Sequence, residues 1–254
     1  MTVNDIAKYL FRLAPLDLQL SYDNSGFLVG HGDAGVTKVL LALDVTNDVI
    51  DEAIDNGVQL IVSHHPLIWD AMKSVTDENV QQSKVMRLIE NRIAVISLHT
   101  NLDISEGGVN DVLIRLFGVE PKGGVDEYNC GRWGLLDKPT TMTEFLPICR
   151  KALNTNGLRY HDAGLPVQKI AVLGGAGGGE ISCAKALGCD TYITSDIKYS
   201  DFIYAKEIGI NLIDGDHFCT EAPVMPVLAQ KLREQFPGIE FNISAVHKQT
   251  ARFA

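Results

Sequence analysis

The sequence predicts an α/β protein composed of two related three-layer α/β lobes that face each other across a cleft. Helix-period segments alternate with short, apolar, β-branched segments along almost the whole chain, which is typical of parallel sheets covered by helices. The chain also repeats internally, because the equally long segments 38–65 and 169–196 each lead from a lysine-led strand through a helix to a second strand. A third strand follows in each half. An eight-stranded (β/α) barrel is also compatible with this alternation, but three strands in each half favour two lobes.

Each predicted helix has apolar residues three or four positions apart, and glycine or proline marks several of the helix ends. Pro15 ends the first helix, while Gly57 and Gly118 end two later ones. In chain order the predicted helices are 2–13, 47–56, 78–91, 107–117 and 143–153. The predicted strands of the first half are 38–44, 59–63 and 93–98, and those of the second half lie near 169–175, 188–195 and 210–214.

The same pattern predicts the domain organisation. We expect a first lobe at 1–120, a connecting segment at 121–140 and a second lobe at 141–254, with both lobes packed as one unit. The connecting segment mixes glycines with aromatic residues, which indicates a linker or a hairpin. Residues 22–30 predict a turn into a strand, with Asp23 or Asn24 bonded to its own backbone.

Composition excludes several classes of protein. The 254 residues are 46% hydrophobic, which suffices for one large or two small cores. A net charge of −10 disfavours nucleic-acid binding, which requires clustered lysine and arginine. We find no apolar stretch of about 18 residues and no signal sequence, and so expect a cytoplasmic protein without a membrane span. The five cysteines lack CxxC spacing and are expected to be reduced thiols.

Two adjacent histidines are the first sign of chemistry. The strand that ends at Ser63 is followed at once by His64, His65 and Pro66. Ligands of open α/β folds bind at the carboxyl edge of the sheet, and neutral imidazole is a common ligand of transition metals. A histidine pair by itself also occurs by chance on protein surfaces, so this pair needs support from elsewhere in the chain.

That support comes from the third strand of each half. One strand ends at His99 with Asp103 four residues later, and the other ends at His217 with Glu221 four residues later. Because Thr220 could cap a helix, we expect Glu221 in a first helical turn, where an acid interacts favourably with the helix dipole. Taken singly, these residues have ordinary alternatives as loop, cap or core residues.

Together, five residues form a candidate ligand set, which comprises His64, His65, Asp103, His217 and Glu221. A tetrahedral catalytic zinc takes three protein ligands and a water, whereas this set matches two ions about 3.5–4 Å apart with Glu221 as the bridge. Nitrogen and oxygen donors without thiolate indicate Zn, Fe, Mn, Co or Ni. We expect His99 to support a ligand or to transfer protons rather than to bind an ion.

A glycine-rich turn follows the first strand of the second half. Leu173 precedes glycines at 174, 175, 177, 178 and 179, and Glu180 follows them. Exposed amides in such a turn could hold a phosphate, so Gly175, Gly177, Gly178 and Asp196 are candidate substrate-binding residues. A tight turn that requires small residues is the equal alternative. A dinucleotide site is disfavoured, because Glu180 occupies the last glycine position of G-x-G-x-x-G.

Five motifs follow one another along the chain, at Tyr22–Gly26, Ser63–Pro66, His99–Asp103, Thr194–Tyr199 and Asp216–Glu221. Together these motifs resemble one known family, the Nif-three-like dinuclear metal proteins, whose members are often labelled GTP cyclohydrolase 1 type 2 homologues. The resemblance implies two facing α/β lobes, a dinuclear site with His64, His65, Asp103, His217 and Glu221 as its ligands, and a toroidal homohexamer. Tyr22 stands where the family often has tryptophan. Only 121–140 lies where many members carry an inserted domain, so this is a short form.

These expectations lead to one main hypothesis and two alternatives. The main hypothesis is a hydrolase in which a metal hydroxide attacks a nucleotide or another heterocyclic substrate. The alternatives are a metal-binding regulatory scaffold without enzymatic activity and a metallo-phosphoesterase that uses the same two ions. We expect partners to be a small molecule and further copies of the chain, with no membrane and no nucleic acid.

Overall fold

The structure is a computed structural model that describes residues 1–253. It divides into two compact units. The first comprises residues 1–105 and 225–248, and the second comprises residues 106–224 and the residues from 249 onward. Each unit contains one five-stranded sheet with helices around it.

The helices are α1 (Val3–Leu13), α2 (Asn47–Asp55), α3 (Val80–Glu90), α4 (Thr100–Ile104), α5 (Val109–Arg115), α6 (Met142–Leu153), α7 (Ile181–Ala186), α8 (Tyr199–Ile208), α9 (His217–Glu221) and α10 (Val224–Gln235). The strands are β1 (Gly26–Val29), β2 (Lys38–Ala42), β3 (Leu60–Ser63), β4 (Ala94–Ser97), β5 (Arg132–Thr140), β6 (Arg159–His161), β7 (Val167–Ala176), β8 (Thr191–Ser195), β9 (Asn211–Asp214) and β10 (Glu240–Ile243). Every helix among these is too short or too polar to cross a lipid bilayer.

The sheet of the first unit has the strand order β1-β4-β3-β2-β10. Strands β2, β3 and β4 are parallel neighbours, β10 joins β2 in parallel, and β1 joins β4 in antiparallel orientation. All residues of β3 and β4 are buried, which explains why each strand is apolar up to its final serine rather than alternating. Helix α2 packs Val49, Ile50 and Ala53 into the core beside Ile61 and Val95.

The sheet of the second unit has the order β5-β7-β8-β9-β6. Strands β7, β8 and β9 are parallel neighbours, and β5 and β6 form antiparallel edges. The parallel strands β2, β3 and β4 and their counterparts β7, β8 and β9 are each connected through helices in the same order. The prediction of an α/β protein with a repeated strand order is therefore confirmed. The barrel alternative is wrong, because the described strands form two open sheets.

Two segments depart from the boundaries that the sequence predicted. Strand β5 occupies the last nine residues of the predicted connecting segment 121–140 and pairs with β7, with Arg132 opposite Val172. The C-terminal strand β10 pairs with β2, with Phe241 opposite Val39, and therefore lies in the first unit. The local sequence of neither segment predicts its strand clearly. An edge strand has few buried residues, so it lacks a long apolar pattern, and its pairing partner is distant in the chain.

Candidate metal centre

Strand β3 delivers the two adjacent histidines to the carboxyl edge of the first sheet. The backbone N–H groups of His64 and His65 both donate to the carbonyl oxygen of Leu43, at 3.2 and 2.9 Å. The hydroxyl oxygens of Ser63 and Ser97 lie 2.7 Å apart and join the ends of β3 and β4. His64 is fully buried, whereas His65 is partly exposed. Hydrogen bonds to Leu43, which follows β2, and to Ser97 at the end of β4 thus hold the turn that carries both imidazoles.

The next parallel strand, β4, is followed by His99, which is the N-terminal cap residue of the short helix α4. Asp103 lies one helical turn later, and its Oδ1 is 3.6 Å from Nε2 of His64. One ring nitrogen of each of His64, His65 and His99 lies within 4.8 Å of the others. Three imidazoles of the first unit therefore form a cluster that could hold a metal ion. His99 is part of this cluster, although the sequence predicted only a supporting role for it.

The hydrogen bonds of the imidazoles determine which nitrogen is available to a metal. Nδ1 of His64 lies 2.7 Å from the carbonyl oxygen of Leu98, which can only accept, so Nδ1 carries the proton. Nδ1 of His65 lies 2.8 Å from Asp44 Oδ1, and Nδ1 of His99 lies 2.8 Å from Asp23 Oδ1. In all three rings the lone pair is then on Nε2, which is the arrangement of metal-binding histidines in proteins.

Both supporting carboxylates are strongly stabilised as anions. Burial alone would raise the pKa of Asp23, but hydrogen bonds from His99, Thr100 and Ser25 outweigh it and hold the pKa well below its usual value. Burial acts on Asp44 in the same way, and hydrogen bonds from His247 and His65 hold its pKa well below the usual value. The Nδ1–H groups of His65 and His99 therefore each face an ionised carboxylate at neutral pH, which fixes the tautomer and the orientation of these two rings.

The second unit contains a histidine and an acid on the short helix α9, which follows β9. His217 and Glu221 lie one turn apart, with Nε2 of the histidine 3.1 Å from Oε2 of the acid. Nδ1 of His217 lies 2.8 Å from Asp196 Oδ2, so Nε2 again holds the lone pair. A lone pair that faces a carboxylate oxygen is favourable only with a proton or a cation between them, and the donor chemistry thus fits a metal ion.

One sequence prediction about this helix is wrong. Glu221 is the last residue of α9 rather than a first-turn residue, and the N-terminal cap is Asp216, which accepts a hydrogen bond from the Cys219 N–H at 3.2 Å. Thr220 lies inside the helix, where its hydroxyl donates to the carbonyl oxygen of Asp216. The helix begins four residues earlier than expected, directly after Asp216, which has a positive φ of 73°.

Of the predicted substrate-binding glycines, Gly175 lies directly beside His217 and Glu221. Gly175 is in β7 with φ +72°, and its N–H donates to the Thr220 hydroxyl at 3.1 Å. A Cβ atom there would collide with Oε1 of Glu221 and lie 3.2 Å from Nε2 of His217. Gly177 accepts a hydrogen bond from the buried Tyr192 hydroxyl at 2.9 Å. Neighbouring side chains leave no room for a Cβ atom at Gly175 or Gly177, which explains why both residues are glycine. Contact between a substrate phosphate and Gly175, Gly177 or Gly178 stays a prediction.

Sequence reasoning missed the residues that orient the imidazoles. Asp44 ends the predicted strand 38–44, and Asp23 lies in the predicted turn, so the sequence assigns only local roles to both. The turn prediction for Asp23 is correct as far as it goes, because its Oδ1 accepts from the Asn24 N–H at 2.7 Å. The sequence did contain a signal for Asp44. This residue follows β2, and the neighbouring parallel strand β3 leads directly to the two histidines.

Comparison with known proteins places these residues in a family. The model of the Duf34/NIF3 (NGG1p interacting factor 3) family matches residues 1–251. This chain belongs to the DUF34/NIF3 family. The resemblance found from the motifs is thereby confirmed.

Relatives and solved structures within this family cover nearly the whole chain. A GTP cyclohydrolase 1 type 2 homolog of Clostridium perfringens is 36% identical over 261 residues and covers 100% of both chains. A Staphylococcus aureus hypothetical protein, SA1388, has a TM-score of 0.91 at 28% identity over 100% of this chain and 99% of that one. Reduced HcgD from Methanocaldococcus jannaschii has a TM-score of 0.85 at 31% identity over 96% and 97%. The family member described here is thus similar to these proteins over its full fold.

The support from Asp44 leads to a prediction about metal affinity. We expect Asp44→Asn to weaken metal binding about 10- to 100-fold, because the acceptor of the His65 Nδ1–H loses its charge. Titration of zinc in competition with a chelator measures the change. Asp48→Asn is the matched control, since Asp48 is exposed on α2 and should leave the affinity unchanged. Equal affinities for both variants would show that Asp44 does not support a ligand.

Proposed function

We propose that this protein is a metal-dependent hydrolase that uses two divalent transition-metal ions and acts on a nucleotide or a related heterocyclic substrate. The five ligands would be His64, His65 and Asp103 from the first unit and His217 and Glu221 from the second. One observation carries the proposal. In His64, His65 and His217, Nδ1 lies at hydrogen-bond distance from an acceptor, so the lone pair that can bind a metal is on Nε2. Zn, Fe, Mn, Co and Ni all suit these donors.

The chemistry of such ions favours hydrolysis. Divalent ions bound by nitrogen and oxygen donors lower the pKa of a bound water and so supply a nucleophile near neutral pH. The names of the relatives, GTP cyclohydrolase 1 type 2 homologs, support a purine nucleotide whose imidazole ring is opened by water. The net charge of −10 does not oppose an anionic substrate, provided that the ions dominate the local field.

The chain itself would position groups and move protons. His99 is joined through Nδ1 to Asp23 and lies beside His64 with ring centroids 5.1 Å apart, so it could transfer a proton at the site. The ionised Asp23 accepts the hydrogen bond from His99 Nδ1 and holds its ring in one orientation. Asp196 performs the same orienting role for His217. The glycine turn before α7 would contact the phosphates of the substrate.

The test combines metal analysis with turnover. We expect about two ions per chain and metal-dependent release of formate from GTP, as the imidazole carbon of the purine is expelled. His64→Ala and Glu221→Ala should lose both metal and turnover while they keep the circular dichroism spectrum of the parent protein. His31→Ala is the matched control, because His31 is exposed and outside the cluster.

Three outcomes would contradict the proposal. Metal-free protein that is as active as the metal-loaded protein would rule out a metal-dependent reaction. Tight binding of metal without turnover of any substrate in a broad panel would favour a regulatory scaffold. Release of inorganic phosphate without formate would favour a phosphoesterase. The homohexamer and the cytoplasmic location stay predictions from the resemblance and the composition.

A further inference from the structure

Two large aromatic side chains are exposed to solvent beside the histidine cluster of the first unit. Tyr22 is 65% exposed and Trp69 is 46% exposed. Their ring centroids are 6.3 Å apart with the planes tilted by 46°. The ring of Trp69 meets that of His99 edge to face, with centroids 5.5 Å apart and planes at 80°. Exposed apolar surface of this kind is costly in water and commonly marks a binding site.

Hydrogen bonds hold the two loops that carry these aromatic residues. The amide of Asn24 donates to the carbonyl oxygen of Ile68 at 2.6 Å, which joins the loop after Tyr22 to the residue before Trp69. Asp23, between Tyr22 and Asn24, is held by hydrogen bonds from His99 and Thr100. The positions of both loops are therefore set by the same network that orients His99. Binding of a ligand there therefore requires little free energy to order the two loops.

We propose that Tyr22 and Trp69 form a stacking surface for the planar ring of a purine-type heteroaromatic ligand, next to His99. This inference rests on the proposed function and deepens it, because it assigns recognition of the base to named residues. Aromatic side chains bind nucleobases through their flat faces, whatever the base. A sugar phosphate without a base would gain nothing from two aromatic faces.

The position of the surface relates it to the metal-binding nitrogens. The ring of His99 contacts Trp69 and is also near both paired histidines, with its centroid 5.1 Å from that of His64 and 5.5 Å from that of His65. A ring stacked on Trp69 would therefore lie next to His99, which itself belongs to the histidine cluster. An electrophilic carbon of that ring would lie close to the proposed nucleophile and to His99.

A single tryptophan can report on this surface. The chain has two tryptophans, and the other one, Trp133, lies beneath the Lys169 ammonium group, 4.3 Å from its ring centroid. In metal-loaded Trp133→Phe protein, all tryptophan fluorescence comes from Trp69. We expect guanosine and GTP to quench this fluorescence, because a stacked base quenches indole, and we expect tripolyphosphate not to quench it.

Affinity measurements on variants of the otherwise intact chain complete the test. We expect Trp69→Ala to weaken guanosine binding by about tenfold or more in calorimetry, with unchanged metal content. Trp69→Phe should restore most of the affinity, because it keeps a flat ring. Tyr128→Ala is the matched control, since Tyr128 is an exposed aromatic residue of the second unit.

The outcomes separate this inference from the proposed hydrolase. If guanosine binds wild-type protein no more tightly than it binds Trp69→Ala protein, or does not bind at all, the stacking surface is wrong. If Trp69→Ala changes the oligomeric state in light scattering but not the affinity, the surface contacts another copy of the chain instead. Loss of guanosine affinity without any GTP turnover in the parent protein would support the surface and reject the hydrolase. Turnover with the same KM in both proteins would reject the surface alone.

Discussion

Replacement of Gly175 by alanine is expected to abolish metal binding by His217 and Glu221. The new Cβ atom would collide with Oε1 of Glu221 and crowd Nε2 of His217, so the carboxylate would have to leave its place. The backbone cannot easily retreat, because the Gly175 N–H donates to Thr220 and its carbonyl oxygen accepts from Ser195 at 2.5 Å. Its φ of +72° adds strain of about 1–2 kcal/mol for any residue with a Cβ atom.

Gly179→Ala is the control for this variant. Gly179 belongs to the same glycine-rich turn, but a Cβ atom there has no atom within 4 Å and its φ is not positive. Elemental analysis after dialysis and calorimetric titration with zinc or manganese measure the metal content and affinity of both variants. Circular dichroism confirms that each remains folded. Parental metal content and affinity in Gly175→Ala would show that His217 and Glu221 are not ligands.

The second large effect concerns stability and a buried ion pair of the second unit. We expect Asp111→Ala to lower the free energy of unfolding by about 3–5 kcal/mol, because it leaves the Arg132 guanidinium buried without its counter-charge. Arg132 Nε donates to Asp111 Oδ1, and its Nη1 donates to the carbonyl oxygen of Gly131 at 2.6 Å. The other oxygen of Asp111 accepts from the Gly107 N–H at 2.8 Å. Urea unfolding followed by the fluorescence of Trp133 measures the change.

Arg115→Ala tests whether burial is the cause. Arg115 contacts the same carboxylate at 3.6 Å, but its side chain is 45% exposed and it also pairs with Glu120. Its replacement should cost less than about 1 kcal/mol. The double variant Asp111→Leu with Arg132→Met removes both charges and should recover part of the lost stability. Similar losses for Asp111→Ala and Arg115→Ala would show that the inner pair gains nothing from its burial.

Local sequence predicted most of the secondary structure that carries the site. The helix predicted at 2–13 is observed at Val3–Leu13, with Thr2 as its cap and Asp5 completing a capping box. Gly57 adopts the positive φ expected at the end of α2. These features depend on residues within one or two turns, so periodicity and capping rules suffice to find them. The five-residue helices α4 and α9 escaped because they are too short to show periodicity.

The sequence by itself determined the α/β class, the repeated order of strands, and the histidines and acids that follow the strand ends. Only the tertiary structure decided which groups orient those histidines, since the partner of His65 is 21 residues away and that of His99 is 76 residues away. It also decided that β10 joins the first sheet and that Gly175 makes room for Glu221. Hydropathy and capping act between near neighbours in the chain. Hydrogen-bond partners and close approaches depend on which distant segments pair, and no local pattern encodes that choice.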